Sequence, residues 1–311
     1  MFGSHLSIAG ALTNALDEAA GLGLDTVQIF TKNQQQWKAR PLDEGMANQW
    51  RARVAELGWE MRTVSHASYL INLASPDDEL WRKSIDLMTD EIERCERLGI
   101  PFLVHHPGAY TSSTRAEGLA RIAAAYRDVF GRTKGYRTVS CLENTVGGGS
   151  VLGRDFVELG HLRGAIIEAT GATERFGFCF DTCHAHAGGY DLSTPMTAAA
   201  AFAEWDDACG LEHIRVLHLN DSKTPLGSRR DRHEHIGVGS IGLAGFEALL
   251  AIPIFADRPK IMETPKEEHE PGVQWDVVNL GVLKSLSKSE PSSRSSRTSN
   301  SARKPSQPKR T

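Results

Sequence analysis

Short segments rich in apolar and β-branched residues recur along the chain at a nearly constant interval, and this repetition restricts the fold more than any other feature. Successive segments begin about 35–45 residues apart, and amphipathic stretches such as Asp77–Leu98 and Arg115–Thr133 lie between them. The short segments predict strands and the stretches between them predict helices. The predicted strands are Phe2–Ser7, Thr26–Phe30, Met61–His66, Phe102–His106, Thr138–Glu143, Phe176–Asp181, Ile214–Leu219 and Lys260–Thr264.

Strands that alternate with helices form repeated βα units, and such units build a parallel sheet. Eight units within about 284 residues favour closure of that sheet, so we predict the α/β class and a TIM (β/α)8 barrel. An open, doubly wound parallel sheet is the alternative. The length of the chain and its 40% apolar residues agree with a single domain spanning residues 1–284.

Residues 285–311 differ from the rest of the chain in composition. Ten of these 27 residues are Ser, and Pro, Lys and Arg make up much of the remainder. Such a segment cannot bury enough apolar surface to fold, so we predict a disordered C-terminal tail. Two roles are open for it: a weak phosphate-binding arm, or an extension that only adds solubility.

The charge of the chain is unevenly distributed. The tail carries seven Lys/Arg and one Glu, a net +6, so a formal net charge of −4 for the whole chain leaves about −10 on residues 1–284. An acidic body argues against a nucleic-acid partner. That argument fails if many of the carboxylates hold divalent metals, since bound cations are then the largest local charges.

Cysteine usage and hydropathy restrict the compartment. The five cysteines are odd in number and irregularly spaced, which argues against a disulfide framework and for a reducing cytoplasm. No apolar run approaches the roughly 20 residues of a membrane helix, so no membrane association is expected. Residues 1–10 also lack the pattern of a secretory signal.

Imidazoles and carboxylates gather where the predicted strands end. The carboxyl ends of barrel strands face one mouth, so these side chains are expected to converge there. Without cations, so many carboxylates would repel one another and resist burial. The candidates are His66, the pair His105–His106, Glu143, Asp181 with His184 one turn later, His218, Asp231 and His233 in the loop after it, and Glu263.

Mixed His and carboxylate ligands suit zinc or manganese. With one histidine counted from the His105–His106 pair, the nine groups exceed the three protein ligands that a catalytic zinc usually takes, so two or three metals are predicted. Displacement at phosphorus is the commonest reaction of such multimetal sites. The metals promote it because they bring the pKa of water from about 15.7 to near 7 and neutralise the charge on the leaving oxygen. A two-metal sugar isomerase or epimerase is the rival enzyme, and a damage-binding factor that no longer cuts is the rival from another class.

Several longer motifs are shared with one known family. With them the chain resembles the endonuclease IV family of apurinic/apyrimidinic (AP) endonucleases, from about Gly3 to Gly242 and again around Glu263. The motifs are Phe30-Thr-Lys-Asn-Gln, Ser65-His-Ala-Ser-Tyr-Leu-Ile-Asn-Leu73, His106-Pro-Gly, Leu142-Glu-Asn-Thr, Phe180-Asp-Thr-Cys-His184, Leu217-His-Leu-Asn-Asp-Ser-Lys223 and Gly227-Ser-Arg-Arg-Asp-Arg-His233.

The resemblance implies three zinc ions per chain, with manganese as an alternative at one position. Neighbouring residues on a strand point to opposite faces, and the resemblance selects His106 over His105 because His106 is the histidine of the family's His-Pro-Gly motif. His5 would either donate to a ligand carboxylate or only pack. The implied ligand sets are His66, His106 and Glu143; the bridging Glu143 with Asp181, His218 and Glu263; and His184, Asp231 and His233.

The reaction implied by the resemblance is hydrolysis on the 5′ side of an abasic site in duplex DNA, which leaves a 3′ hydroxyl and serves base excision repair. Glu143 and Glu263 are the expected catalytic carboxylates, with the attacking hydroxide at the zinc pair that Glu143 bridges. A monomer is expected, because DNA must reach the open mouth of the barrel.

The resemblance also implies DNA contacts in the mouth loops. Tyr69 and Leu70 match a pair that wedges into the duplex, with loop packing as the alternative. Gln35 stands where related sequences often carry an Arg, so we predict weaker or more salt-tolerant binding without loss of cleavage. The residues expected to contact phosphates, unless they form only a solvated charged loop, are Lys223, Arg229, Arg230 and Arg232.

The rival functions lack sequence support of their own. A two-metal isomerase has no use for His184, Asp231 and His233 together, or for the Tyr69–Leu70 pair. A protein that binds damage without cutting is expected to have lost a ligand, and every ligand position is filled.

Overall fold

The computed structural model describes residues 1–288, and it has the predicted barrel. Its eight parallel strands are β1 (Phe2–His5), β2 (Thr26–Ile29), β3 (Val64–His66), β4 (Phe102–His105), β5 (Val139–Glu143), β6 (Phe176–Asp181), β7 (Ile214–His218) and β10 (Lys260–Met262). They close in the order β1-β10-β7-β6-β5-β4-β3-β2. The prediction of a TIM barrel is confirmed and the open sheet is excluded.

Helices follow the strands and cover the outside of the barrel. Two short antiparallel pairs lie in the mouth loops, β8 (Asp221–Ser222) with β9 (His233–Glu234), and β11 (Glu268–Glu270) with β12 (Val273–Gln274). The helices of the described chain are α1 (Leu12–Gly21), α2 (Glu44–Leu57), α3 (Asp78–Leu98), α4 (Arg115–Arg132), α5 (Phe156–Thr170), α6 (Thr182–Gly188), α7 (Pro195–Cys209), α8 (Gly242–Leu250) and α9 (Trp275–Leu286).

The two predicted helical stretches agree with α3 and α4 to within one residue at each end. Asp77 caps α3 by accepting a hydrogen bond from the amide of Leu80, and Gly99, whose φ of 71° suits glycine, is the C-cap residue after Leu98. Thr114 and Glu117 form a reciprocal capping box at the start of α4.

The predicted third strand begins too early. Met61 has a φ of 62°, which no strand residue adopts, and the amide of Arg62 closes a turn onto the carbonyl of Trp59. Strand β3 is therefore limited to three residues, Val64–His66.

The core has two layers, which together support the mouth of the barrel. Inside the barrel, a small apolar cluster fills the space below the mouth, and its members are Val64, Val104, Cys141, Cys179, Val216 and Ile261. A larger Leu-, Ile- and Phe-rich layer lies between strands and helices, where each large side chain contributes roughly 1.5–3 kcal/mol by burial. The barrel is therefore a solid support, and its chemistry is confined to the strand ends.

The last helix extends past the expected domain boundary. Helix α9 continues to Leu286 because Leu283 is fully buried and Leu286 packs against the core. The boundary predicted after residue 284 thus falls inside a helix. The remainder of the predicted disordered tail, residues 289–311, lies outside the described residues. Within residues 1–288, no helix combines the length and the apolar character that crossing a membrane requires.

Candidate metal centre

The predicted ligands converge at the mouth of the barrel, the end formed by the carboxyl ends of the strands. Four of them are the last residues of strands β3, β5, β6 and β7, and two directly follow β4 and β10. The parallel register places Asp181 beside His218 on neighbouring strands. The six are His66, Glu143, Asp181, His218, His106 and Glu263.

Glu143 lies at the centre of this arrangement and is fully buried. Its Oε2 lies 3.3 Å from His66 Nε2 and 3.2 Å from His106 Nε2, and its Oε1 lies 3.0 Å from His218 Nδ1. Two ligands on one tetrahedral zinc, with bonds of about 2.0–2.2 Å, lie about 3.3–3.6 Å apart. The two oxygens of Glu143 thus face two groups of imidazoles at separations close to those of shared ions.

The second group adds two carboxylates to Glu143 and His218. His218 Nδ1 lies 3.3 Å from Glu263 Oε2 and 3.8 Å from Asp181 Oδ2. The ligand atoms of all four residues lie within 4.8 Å of one another, as do those of His66, His106 and Glu143. Both predicted groupings around Glu143 are therefore present as compact sets of donors.

The third group depends on α6 and on the β8–β9 pair. Asp181 caps α6 by accepting from the amide of His184 at 2.6 Å, and β9 brings His233 back over the mouth opposite Ser222. Asp231 then lies between two imidazoles, with Oδ2 3.1 Å from His184 Nε2 and Oδ1 3.1 Å from His233 Nε2. The structure brings all nine predicted ligands together.

The imidazole rings are oriented by oxygen atoms outside the carboxylate cluster. His66 Nδ1 donates to the carbonyl of Ala67 at 2.7 Å, and His184 Nδ1 donates to that of Asn144 at 2.9 Å. The other nitrogen of each ring faces a carboxylate. Metal-bound histidines characteristically have this second partner, which fixes the tautomer that leaves a lone pair for the ion.

The same arrangement holds for His218 and His233. His218 Nε2 contacts Gln28 Oε1 at 2.9 Å, and His233 Nδ1 contacts the carbonyl of Glu263 at 3.2 Å. Within residues 1–288, the buried Nε2 of His233 has no partner of hydrogen-bonding geometry, although it lies 3.1 Å from Asp231 Oδ1. A nitrogen in this position is suited to share a cation with the carboxylate, so the donor set fits divalent metals.

Electrostatics show how the cluster balances its charge. Burial favours a raised pKa for Glu143, but the charges of His218 and His106 outweigh it and hold the pKa well below its usual range. Burial favours a lowered pKa for His218, but Glu263 and Glu143 raise it to about 9. The pKa of His233 also rises to about 9, because the Asp231 carboxylate outweighs burial. Protons on the imidazoles thus occupy the electrostatic role that metal ions would take over.

The first histidine of the His105–His106 pair lies outside this donor set, and two buried thiols lie beside the set. His105 points away from the mouth, with Nε2 2.5 Å from the Tyr126 hydroxyl, and burial lowers its pKa to about 4. Cys179 and Cys183 lie near ligand atoms, but burial raises the pKa of both thiols, that of Cys183 to about 12. The nine ligands predicted from the sequence are all imidazoles or carboxylates, and neither thiol is one of them.

Three amides that sequence reasoning assigned no role hold the ligands in place. Gln28 Nε2 donates to Glu263 Oε1 at 2.6 Å, and Asn220 Nδ2 donates to Asp181 Oδ2 at 2.7 Å. Asn144 Oδ1 accepts from the amide of Asp181 at 2.7 Å. In the sequence, the sign that Gln28 has a role is its position as a polar residue inside a mostly apolar strand. His5 Nδ1 lies 3.2 Å from Glu263 Oε1, which agrees with the donating alternative.

The residues predicted to contact DNA surround the mouth. Tyr69 is 58% exposed, and its ring centroid lies 5.0 Å from that of His66, one of the predicted metal ligands. Leu70 is half-buried beside it, and Gln35 is exposed on the loop after β2. The predicted phosphate contacts are exposed on the loop that leads to the third ligand group, and they are Lys223, Arg229, Arg230 and Arg232.

The barrel belongs to a recognised class of folds. The family described as xylose isomerase-like TIM barrel matches residues 16–285. D-Psicose 3-epimerase from Clostridium cellulolyticum H10 shares that fold, with a TM-score of 0.61 at 16% identity over 92% of this chain and 95% of its own.

Closer similarity identifies the family. The chain is 45% identical over 285 residues to a probable endonuclease 4 of Chloroflexus aurantiacus, which covers 92% of this chain and 97% of that protein. Endonuclease IV from Thermus thermophilus has 36% identity and a TM-score of 0.78, covering 92% of this chain and 98% of its own. The chain belongs to the endonuclease IV family, which confirms the resemblance drawn from the motifs.

Proposed function

We propose that this protein is a zinc-dependent AP endonuclease of base excision repair. It would hydrolyse the phosphodiester 5′ to an abasic site in duplex DNA and leave a 3′ hydroxyl. The observation that carries the proposal is the convergence of nine donors in three groups, two of which share Glu143, with four imidazoles oriented for metal by outer oxygens. Family membership supports the choice of substrate.

We assign His66, His106 and Glu143 to the first zinc, Glu143, Asp181, His218 and Glu263 to the second, and His184, Asp231 and His233 to the third, with manganese as an alternative at one position. Bound ions of this kind lower the pKa of water toward neutrality and neutralise charge on phosphate oxygens. Glu143 and Glu263 would act as the catalytic carboxylates, because both lie beside His218 Nδ1, at 3.0 and 3.3 Å. Gln28 and His5 orient Glu263.

The surface of the mouth supports DNA as the substrate. Lys223, Arg229, Arg230 and Arg232 would contact phosphates beside the third group, because all four are exposed on one loop. Tyr69 and Leu70 would occupy the gap left by the missing base, and Gln35 would hydrogen-bond in it. The protein would act as a monomer in the cytoplasm, where its five free, buried cysteines stay reduced.

The third ligand group separates this proposal from its rivals. A two-metal sugar epimerase on the same fold has no need of His184, Asp231 and His233 together. A binding-only protein would not need the nine donors that lie intact at the mouth.

The first test is incision of a duplex oligonucleotide that carries one stable abasic analogue, by purified protein without added metal. We expect a nick on the 5′ side of the lesion, loss of that nick in Glu143→Gln, and its retention in Glu168→Gln, an exposed control on α5. Three zincs per chain without a nick would refute the catalytic proposal and favour the epimerase or binding-only alternatives.

A further inference from the structure

Behind two loops of the barrel mouth lies a buried ion pair outside the metal centre. Lys32 is 6% exposed and Glu91, on α3, is 1% exposed. Lys32 Nζ lies 3.2 Å from Glu91 Oε1 and 2.8 Å from Asp90 Oδ2. Desolvation of two charges offsets much of their attraction, and apolar residues often replace such pairs without loss of stability. Stability alone is thus a weak reason for this pair.

Glu91 contacts both loops. The β2 loop comprises residues 31–37, and the β3 loop comprises residues 67–71. Thr31 Oγ1 donates to Glu91 Oε2 at 2.9 Å, and the amide of Ser68 donates to Glu91 Oε1 at 3.3 Å. One carboxylate therefore binds the first residue of the β2 loop and the second residue of the β3 loop.

The two loops also contact each other above Glu91. Ser68 Oγ donates to the carbonyl of Gln34 at 2.5 Å and accepts from the amide of Leu70 at 3.2 Å. Gln35 directly follows Gln34, and Tyr69 lies between Ser68 and Leu70. Each residue proposed to enter the lesion therefore either belongs to this hydrogen-bond network or is next in sequence to a residue that does.

We infer that Glu91 is a positioning residue that holds the β2 and β3 loops as one unit for binding the lesion, an inference that rests on the proposed function. Glu91 acts through the loops and lies outside the nine metal ligands. A loop held in its bound conformation loses less entropy when it engages a ligand, so the network lowers the cost of lesion binding. Loss of the Glu91 contacts therefore weakens binding of the lesion and leaves hydrolysis at the metal centre unchanged.

The first arm is single-turnover incision by Glu91→Gln, with Glu93→Gln as an exposed control on the same helix. We expect the protein concentration for half-maximal rate to rise roughly three- to thirtyfold in Glu91→Gln, with the rate at saturation and the zinc content unchanged. An unchanged half-saturating concentration overturns the inference, as does a fall confined to the saturating rate.

The second arm is amide hydrogen exchange in the DNA-free protein, which keeps the inference testable if the wild-type protein does not cut DNA. We expect Glu91→Gln to accelerate exchange in both loops together and Glu93→Gln to accelerate neither. Acceleration in one loop alone contradicts the inference. Ser68→Ala, which removes the link to Gln34, is expected to loosen both loops, and it decides the question if Glu91→Gln does not fold.

Discussion

Single side chains outside the ligand set determine which way the ligands face. Gln28 lies fully buried in β2, where its amide oxygen contacts His218 Nε2 and its amide nitrogen contacts Glu263 Oε1. One residue therefore selects the tautomer of an imidazole and the orientation of a carboxylate that belong to the same ligand group. Outer partners of this kind tune how strongly the ligands bind an ion.

Gln28→Met keeps the volume of the side chain and removes both contacts. We expect metal affinity to fall about 10- to 100-fold, because His218 and Glu263 lose their orientation. Competition with a chromophoric chelator measures the affinity, and Gln49→Met, exposed on α2, is the control. Equal affinities in the two variants would show that Gln28 only fills space.

The charge on two histidines predicts how the stability of the metal-free protein depends on pH. The pKa of His218 and that of His233 lie at about 9 in the fold, above the value of about 6.5 for unfolded histidine. Their contribution to stability is complete below pH 6.5 and is lost as the pH rises through 9, at up to about 1.4 kcal/mol per pH unit for each histidine. Thermal unfolding in chelator should therefore show a falling Tm between pH 7 and pH 10. A Tm independent of pH in this range would contradict the prediction.

At the level of elements, the segment between β7 and α8 depends on one buried carboxylate. Asp221 is fully buried and accepts hydrogen bonds from five backbone amides at 2.7–3.2 Å. The donors lie at both ends of the loop that carries Asp231 and His233. The third ligand group is therefore positioned by Asp221, although Asp221 is not one of the ligands. The five donors are the amides of Ser222, Gly237, Gly239, Ile241 and Gly242.

Asp221→Asn replaces a carboxylate oxygen with an NH2 group, which donates hydrogen bonds instead of accepting them. At the position of Oδ2 this group faces the backbone N–H groups of three glycines, which need an acceptor. We expect a loss of about 1–3 kcal/mol for each buried donor left without a partner. The metal content should fall from three ions toward two, because Asp231 and His233 lose their alignment. Elemental analysis and denaturant unfolding measure both effects, against Asp207→Asn on the exposed face of α7. Retention of three ions would separate Asp221 from the third site.

For the whole molecule, charge is the quantity that limits an encounter with DNA. Residues 1–284 carry a net charge of about −10, and the four exposed basic residues predicted to contact phosphates all lie on the loop near the third group. On the opposite side of the mouth, the β2 loop presents the neutral Gln35. Attraction to phosphates is therefore one-sided unless metals occupy the centre.

Gln35→Arg adds a cation to the neutral side of the mouth. We expect tighter binding to duplex that carries an abasic analogue, and a salt dependence of log K that is steeper by about 0.9. Fluorescence anisotropy across a salt series measures both quantities. Gln49→Arg adds the same charge at an exposed position of α2, outside the β2 loop, and it should change the affinity and the salt dependence by less. If the two variants behave alike, the predicted effect of Gln35 is wrong.

The chain's own pattern determined the architecture and the ligand positions. A period of about 35–45 residues predicted eight βα units, and parallel strands necessarily bring their carboxyl ends to one mouth. The positions of His66, Glu143 and Asp181 at strand ends followed from that rule. Their metal-binding roles, and the DNA contacts, remain predictions.

Only the tertiary structure decided which groups hold the ligands and the loops. Gln28 and Glu263 lie 235 residues apart in sequence, and Glu91 lies 60 residues from Thr31. Periodicity shows which face a side chain takes, but it does not show which distant atom that side chain meets. Contacts of this kind depend on barrel register and loop conformation, so Gln28, Asp221 and Glu91 gained their roles only once the barrel had closed.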